Sequence, residues 1–247
     1  RYHHEGDDRF GIVDDELIHE YSGDMFGDMT ATGQTAALSN VQLLPPAKAS
    51  KVFAVGMNFA SHIASAPDAP PPVFLKLPTS LIGDKTEVIL PSDASNVHFE
   101  GELVLVIGKT AKNVSESEAP SFIFGVTAGN DLTERTWQGK DLQWMRAKAS
   151  DGFGPVGPML VRGLDYNNVV LTTKLNGEIV QQETTANMIH KPAKVVSYLS
   201  RYFTLLPGDM IFMGTPGRTS SLNDGDVVSV SIDGIGTLTN RIKTNPR

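Results

Sequence analysis

Residues 98–108 read HFEGELVLVIG, and two glutamates, Glu100 and Glu102, head a run of Leu, Val and Ile. Side chains on a strand alternate faces, so residues two apart project together and Gly101 turns away between them. Two carboxylates that close repel each other unless a cation or a proton lies between them. Further on, GNDLTERTWQ sets Asp131 directly after a buried-looking strand, with Arg135 and Gln138 nearby. MRAKASDGFGP carries Lys148 and Asp151 ahead of a Gly/Pro turn, VFLK ends an apolar run in Lys76, and GMNFASH brings His62. Three carboxylates at strand ends, with one histidine and no sulfur, are hard oxygen donors. They suit Mg2+, Mn2+ or Ca2+ better than Zn2+.

Each of these residues also has a plain structural use. An E-x-E pair can stand at an exposed strand end with both carboxylates in water. Asp131 can cap a helix begun at Leu132, since Asp is a favoured N-cap. Arg135 can bridge a surface carboxylate, and Lys76 and Lys148 can pack their stems and solvate their tips. His62 can be an ordinary loop histidine. Taken singly, the residues give a β-rich protein with a possible divalent-metal site.

The elements that would position them are mostly strands. FGIVDDELIHEYSG reads as a hairpin turning at its Asp pair, and LLPPAKASK as a connector. KVFAVGMNF is a buried strand ending in a Gly-containing turn. ASHIASAPDAPPPVFLK is a loop in which prolines forbid a long helix. TEVILP and ELVLVIG are strands, and SESEAPSFIFGVTAGND is a short helix followed by a strand. VVLTTKLNGEIVQQETT is a hairpin turning at Asn176-Gly177. PAKVVSYLSRYFTL, with apolar residues at 195, 196, 199 and 203, reads as an amphipathic helix. LLPGDMIFMGTP and DGDVVSVSIDGIGTLTNRI are further strands. The fold class expected is therefore mainly β, or α+β, with a few short helices.

Composition narrows the function classes. The chain has 247 residues, no cysteine and a formal charge of −7. The missing cysteine excludes disulfides, zinc–thiolate sites, Fe–S clusters and a cysteine nucleophile, and fits a cytoplasmic enzyme. An acidic chain without a basic stripe argues against nucleic acid as the main partner. No apolar run reaches the roughly 20 residues of a membrane-spanning helix. The polar start, RYHHEGDDRFG, is unlike a signal peptide, and without an initial Met a few residues are expected to precede it. No dinucleotide fingerprint, nucleophile elbow or H-E-x-x-H motif is present.

The ordered series FAVGMNFASH, PPVFLKLPTSLIG, VHFEGELVLVIGK, GVTAGNDLTER, RAKASDGFGPVGPML, LNGEIVQ and LLPGDMIFMGTP strongly resembles the fumarylacetoacetate hydrolase family, over roughly residues 50–242. The resemblance implies a roll of mixed β-sheets over residues 46–247, a small β-rich region at 1–45, and a homodimer. It places the metal ligands on Glu100, Glu102 and Asp131, with Mg2+ or Mn2+ expected and Ca2+ as a further candidate. A shared cation would remove the repulsion between the two glutamates. Lys76, Gln138 and Lys148 would line the pocket, Thr215 would hold a substrate carboxylate, Asp151 would orient Lys148 or bind its charge, and Arg135 would support the site from behind.

Substrates of that family are 2-oxo or 1,3-diketo acids. The activity expected is C–C hydrolysis of an acylpyruvate through a metal-stabilised enolate, with His62 taking a proton from water and Lys76 and Lys148 adding charge. The alternative is a decarboxylase or isomerase of 2-oxo dicarboxylic acids, and a third reading is a catalytically silent metal-binding scaffold. One departure bears on the choice. Family members commonly carry His-x-x-Glu here, whereas this chain has Ser65 in place of the glutamate and Phe59 in place of a tyrosine. Serine cannot act as a carboxylate partner for imidazole.

Overall fold

The computed structural model describes residues 1–63 and 66–244, so Ser65 lies outside the described residues. In chain order the strands begin with β1 (Tyr2–His4), β2 (Asp7–Asp14), β3 (Leu17–Gly23), β4 (Met29–Ala37) and β5 (Gln42–Leu43). They continue with β6 (Val52–Val55), β7 (Val73–Lys76), β8 (Leu81–Ile82), β9 (Val88–Leu90), β10 (Val97–His98), β11 (Gly101–Ile107), β12 (Ile123–Asn130) and β13 (Thr133–Glu134). The last are β14 (Gly154–Val161), β15 (Val170–Leu175), β16 (Glu178–Thr184), β17 (Met210–Phe212), β18 (Val227–Ile232) and β19 (Gly236–Thr244). Among the described residues three α-helices interrupt them: α1 (Arg135–Gln138), α2 (Met145–Ala149) and α3 (Pro192–Tyr202).

These strands form mixed sheets rather than a βαβ array, as the sequence leads one to expect. The N-terminal strands make a sheet of order β4-β3-β2-β1-β5. A seven-stranded sheet follows, of order β7-β6-β17-β11-β12-β14-β8, and a five-stranded one of order β16-β15-β18-β19-β9. The expected hairpins are present. Asp15 turns the first with φ 51°, and Asn176 and Gly177 turn the second with φ 52° and 89°. Two consecutive positive φ values are what a type I′ turn requires.

β11 explains its own unbroken apolar run. Leu103, Leu105 and Ile107 pack into the large core with Val228, Val230 and Ile232 of β18 and Val195, Val196 and Leu199 of α3. Val104 and Val106 face the other way, into a second cluster with Val52, Ala54, Met210 and Phe212. A strand buried on both faces needs apolar residues at every position. Glu100 and Glu102 continue the even-numbered row, so period two aims both carboxylates along one face. α3 starts with Pro192 in its first turn, where a missing N–H costs nothing. Among the described residues no helix is long and apolar enough to cross a membrane.

Candidate metal centre and active-site cavity

Antiparallel pairing of β11 with β12 sets Gly101 opposite Asn130 and Glu102 opposite Gly129. That register brings Asp131, just past the end of β12, beside the two glutamates. The Asp131 N–H donates to the Glu100 carbonyl at 2.8 Å. The Glu100 N–H in turn donates to Asn130 Oδ1 at 2.9 Å. One oxygen from each of Glu100, Glu102 and Asp131 lies within 4.8 Å of the others. All three residues are buried, at 4%, 1% and 0% exposure, so the solvated strand-end reading fails. Asp131 is not a helix cap either. Glu134 caps α1, accepting from the Trp137 N–H at 2.5 Å.

Basic side chains converge on these acids. Lys148 on α2 places Nζ 2.7 Å from Glu100 Oε2 and 2.6 Å from Asp131 Oδ2. Lys76 Nζ stands 2.6 Å from Asp131 Oδ1 and also donates to the Lys148 carbonyl. Arg135 reaches Glu100 Oε1 at 2.6 Å and, through its other terminal nitrogen, Gln138 Oε1 at 2.9 Å. Glu102 differs. It has no ion pair among the described residues, and its Oε2 accepts the Gly214 N–H at 2.6 Å. Gly214 sits at φ 91°, and a Cβ there would lie 2.7 Å from Asn58 Cβ, so glycine is required for this contact.

The electrostatics follow this pairing. Burial opposes ionisation of Glu100, but the Lys148 ammonium and the Arg135 guanidinium prevail and hold its carboxyl at about 2. For Glu102, burial and the neighbouring Asp131 and Glu100 charges push the carboxyl well above its ordinary value. Burial lowers Lys76 against the pull of Asp131, whereas for Lys148 the Asp131 and Glu100 charges outweigh burial and raise it. Three buried carboxylates are thus matched by three bases, yet one acid has no ion-pair partner. That leftover acid fits the donor set to a hard divalent cation, which Glu100, Glu102 and Asp131 would hold.

The cluster forms the floor of a cavity of about 230 Å³, walled by His62, Phe74, Arg135, Gln138, Trp144 and Thr215. His62 Nδ1 lies 2.6 Å from the Gly217 carbonyl. A carbonyl only accepts, so Nδ1 carries the proton and the lone pair of a neutral ring is on Nε2. A backbone oxygen therefore sets the tautomer without a carboxylate three residues on. A larger cleft of about 410 Å³ lies between the N-terminal sheet and β14, with walls such as Phe10, Ile12, Met29 and Leu160. The acid cluster opens elsewhere.

Of the residues expected at the site, Glu100, Glu102, Asp131, His62, Arg135, Gln138, Lys148 and Thr215 line this one cavity. Two expectations need correction. Lys76 does not line the pocket: its side chain is fully buried, behind Asp131, because β7 turns it into the sheet. Asp151 does not orient Lys148. It is exposed on the turn after α2, while Lys148 is held by Glu100 and Asp131.

Other residues enter that sequence reasoning passed over. Gln181 on β16 is 3% exposed and donates to Thr215 Oγ1 at 2.9 Å. Thr219 Oγ1 accepts from Arg135 at 2.9 Å and lies 2.9 Å from His98 Nδ1. Asn58 Nδ2 donates to the Met213 carbonyl at 2.7 Å, anchoring the turn that carries Gly214 and Thr215. The one sequence signal for Gln181 was its place at the end of LNGEIVQ. Polar residues such as these carry no periodic mark.

Residues 51–243 match the family model for the fumarylacetoacetate (FAA) hydrolase C-terminal domain, and residues 1–46 match the Rv2993c-like N-terminal model. Protein Rv2993c of Mycobacterium tuberculosis is 45% identical, covering 94% of this chain and 93% of its own length. The crystal structure of 2-hydroxyhepta-2,4-diene-1,7-dioate isomerase from Mycobacterium marinum superposes with a TM-score of 0.88 at 42% identity, covering 94% of this chain and 89% of that one. More distant is fumarylpyruvate hydrolase from Pseudomonas aeruginosa, in complex with Mn2+ and pyruvate. It superposes with a TM-score of 0.74 at 29% identity, over 80% of this chain and 91% of that one.

Proposed function

We propose that this chain, which belongs to the fumarylacetoacetate hydrolase family, is a divalent-metal-dependent enzyme that forms the enolate of a 2-oxo acid, by loss of a proton in an isomerase mode or of CO2 in a decarboxylase mode, and reprotonates it at carbon. One observation carries the proposal: the charge balance of the buried cluster. Glu100, Glu102 and Asp131 are matched by Lys76, Lys148 and Arg135. Adding a divalent cation leaves the site two charges positive, and the ligand that restores neutrality has two negative charges close together. The carboxylate and enolate oxygens of an enolised 2-oxo acid are such a pair. When bound, the cation supplies positive charge to those oxygens and lowers the energy of the enolate.

The chain's own residues supply the rest. Lys148, at the cavity floor, is fixed by two carboxylates and sets an ammonium beside the position where oxyanion charge grows. His62 keeps its proton on Nδ1 and offers Nε2 to the cavity, so it can take a proton from one carbon and return it to another. Arg135 holds Glu100 and Gln138 in place and needs no contact with the ligand to do so. Met57, Ile63, Phe74 and Trp144 wall the cavity with apolar surface that suits a carbon chain. The M. marinum isomerase supports this mode by its close similarity.

The second reading is the C–C hydrolase, favoured by the same Nε2, which can equally accept a proton from water. The fumarylpyruvate hydrolase likeness supports it at lower identity. Product analysis separates the two. Oxaloacetate, a 2-hydroxymuconate-type diacid and an acylpyruvate are offered with Mg2+ in deuterated and in ¹⁸O-labelled water. Deuterium at carbon with no ¹⁸O in a new carboxylate supports isomerase or decarboxylase. A new carboxylate carrying ¹⁸O overturns it in favour of the hydrolase. No turnover of any member with Mg2+ or Mn2+ overturns both and leaves a silent metal-binding scaffold. A homodimer acting in the cytoplasm, and a boundary between the small N-terminal region and the catalytic domain at 45–46, belong to the same proposal. Family membership supports the first and the Pro45-Pro46 connector the second.

A further inference from the structure

Gln181 sits outside the cavity, on the β15–β16 hairpin, and its carboxamide is fully engaged. Its Oε1 accepts the Gly101 N–H at 3.2 Å, and its Nε2 donates to the Pro216 carbonyl at 2.5 Å and to Thr215 Oγ1 at 2.9 Å. The amide can face only one way. A backbone N–H only donates and a backbone carbonyl only accepts, so the oxygen must meet Gly101 and the nitrogen must meet Pro216. Thr215 Oγ1 therefore receives a proton from Gln181 and uses a lone pair to do so. Its own O–H must point elsewhere, and Oγ1 makes no other hydrogen bond among the described residues. Thr215 is 4% exposed and lines the cavity, so the free direction is inward.

We propose that Gln181 is a positioning residue that fixes the polarity of the Thr215 hydroxyl, so that the cavity meets a proton there and selects an anionic oxygen over a donor group. This deepens the reading given above, since it takes Thr215 to touch the ligand. The same amide ties that subsite to the metal-binding strand. Gly101 stands between Glu100 and Glu102, and a Cβ there would lie 2.0 Å from Thr173 Oγ1 and 3.3 Å from Gln181 Oε1. The strand and the hairpin are therefore closely packed at this point, and one side chain touches both the Gly101 N–H and Thr215.

Two measurements test this. The first is neutron diffraction from metal-free, deuterium-exchanged protein. The Thr215 deuteron is expected to point into the cavity, with a Gln181 amide deuteron on Oγ1. A Thr215 deuteron on the Gln181 side overturns the proposal whatever the substrate. The second is calorimetric binding of oxalate and of pyruvate to Mn2+-loaded protein, in a cycle of Gln181→Met, Thr215→Val and the double variant. Gln181→Met is expected to weaken oxalate roughly 5- to 10-fold, less than the loss of a whole hydrogen bond to a charged group because the Thr215 hydroxyl is kept and only its orientation is freed, with Mn2+ affinity unchanged. In the Thr215→Val background it should cost nothing further, because the group it orients is gone. Equal losses in both backgrounds mean a merely structural role and overturn the proposal, as does no loss in either. If wild-type protein binds neither acid, the 2-oxo acid reading fails and the deuteron position alone decides this one.

Discussion

Replacing Lys148 by methionine separates the two cations that this site would use. Its Nζ lies 2.7 Å from Glu100 and 2.6 Å from Asp131, on a side chain only 4% exposed. At an effective dielectric of 20 each pair is worth roughly 6 kcal/mol of gross attraction, most of it offset by desolvation. Removing one partner leaves buried charge uncompensated, and the net cost is about 3–5 kcal/mol. Neither Lys76 nor Arg135 is free to substitute. Each is already engaged, on Asp131 Oδ1 and Glu100 Oε1. For a chain of this size such a loss lowers Tm by roughly 6–20 °C. A divalent ion should recover more Tm in the variant than in the wild type, because it supplies charge the variant lacks. Circular dichroism melts in chelator, then across a Mg2+ titration, measure both. Activity at saturating Mg2+ should still fall about 100-fold, the scale of losing one electrostatic group. A variant that melts within about 2 °C of wild type in chelator, or gains no more from Mg2+ than wild type does, refutes the reasoning.

Three further outcomes are expected. Glu102→Gln removes the one ligand without an ion pair, so the protein should fold at least as well in chelator above pH 5 yet lose Mn2+ affinity; wild-type affinity by calorimetry would remove Glu102 from the ligand set. Glu100 binds its proton at 4.5 when unfolded and at about 2 when folded, so the unfolded state takes up more protons as pH falls through that window and stability is lost there. Glu102, with a raised value, has the opposite slope, losing stability as pH rises above 4.5. Acid melts of the wild type and of Glu100→Gln check the first: the variant should show a shallower loss below pH 4.5. Asp151→Ala should leave turnover and Tm nearly unchanged, within about 0.5 kcal/mol, since the residue is an exposed turn position; a large loss of kcat would return it to the site.

The parts of this site readable in sequence are those with a period. Glu100 and Glu102 share a face because strands repeat every two residues, and Asn176-Gly177 announced the hairpin that carries Gln181. Asp131 was legible as the end of a buried run. What brought it to the glutamates is the β11–β12 register, which depends on two strands at once. Lys76, at the end of an apolar run, and Lys148, ahead of a Gly/Pro turn, were both expected to line the pocket. They part only because β7 turns one into the sheet and α2 presents the other to the cavity floor. Asp151 was misplaced because nearness in sequence says little after a turn. The expected gap beside His62 rested on side chains alone, whereas a backbone carbonyl from residue 217 fixes the ring. No residue type predicts a main-chain partner 155 positions away.

The stretch that follows β17 has a consequence for how the protein tolerates change. Within a few residues its Gly214 N–H meets Glu102, its Thr215 meets Gln181, its Gly217 carbonyl meets His62, and its Thr219 meets Arg135. Each contact is indexed to a different residue of one short segment, so the segment acts as a ruler with fixed graduations. A single inserted or deleted residue between 214 and 219 would shift the acid, the threonine, the imidazole and the guanidinium out of step together. Loops at a protein surface ordinarily absorb such changes. This one cannot, and a library of insertions scanned along the chain should show it as a narrow zero flanked by permissive turns.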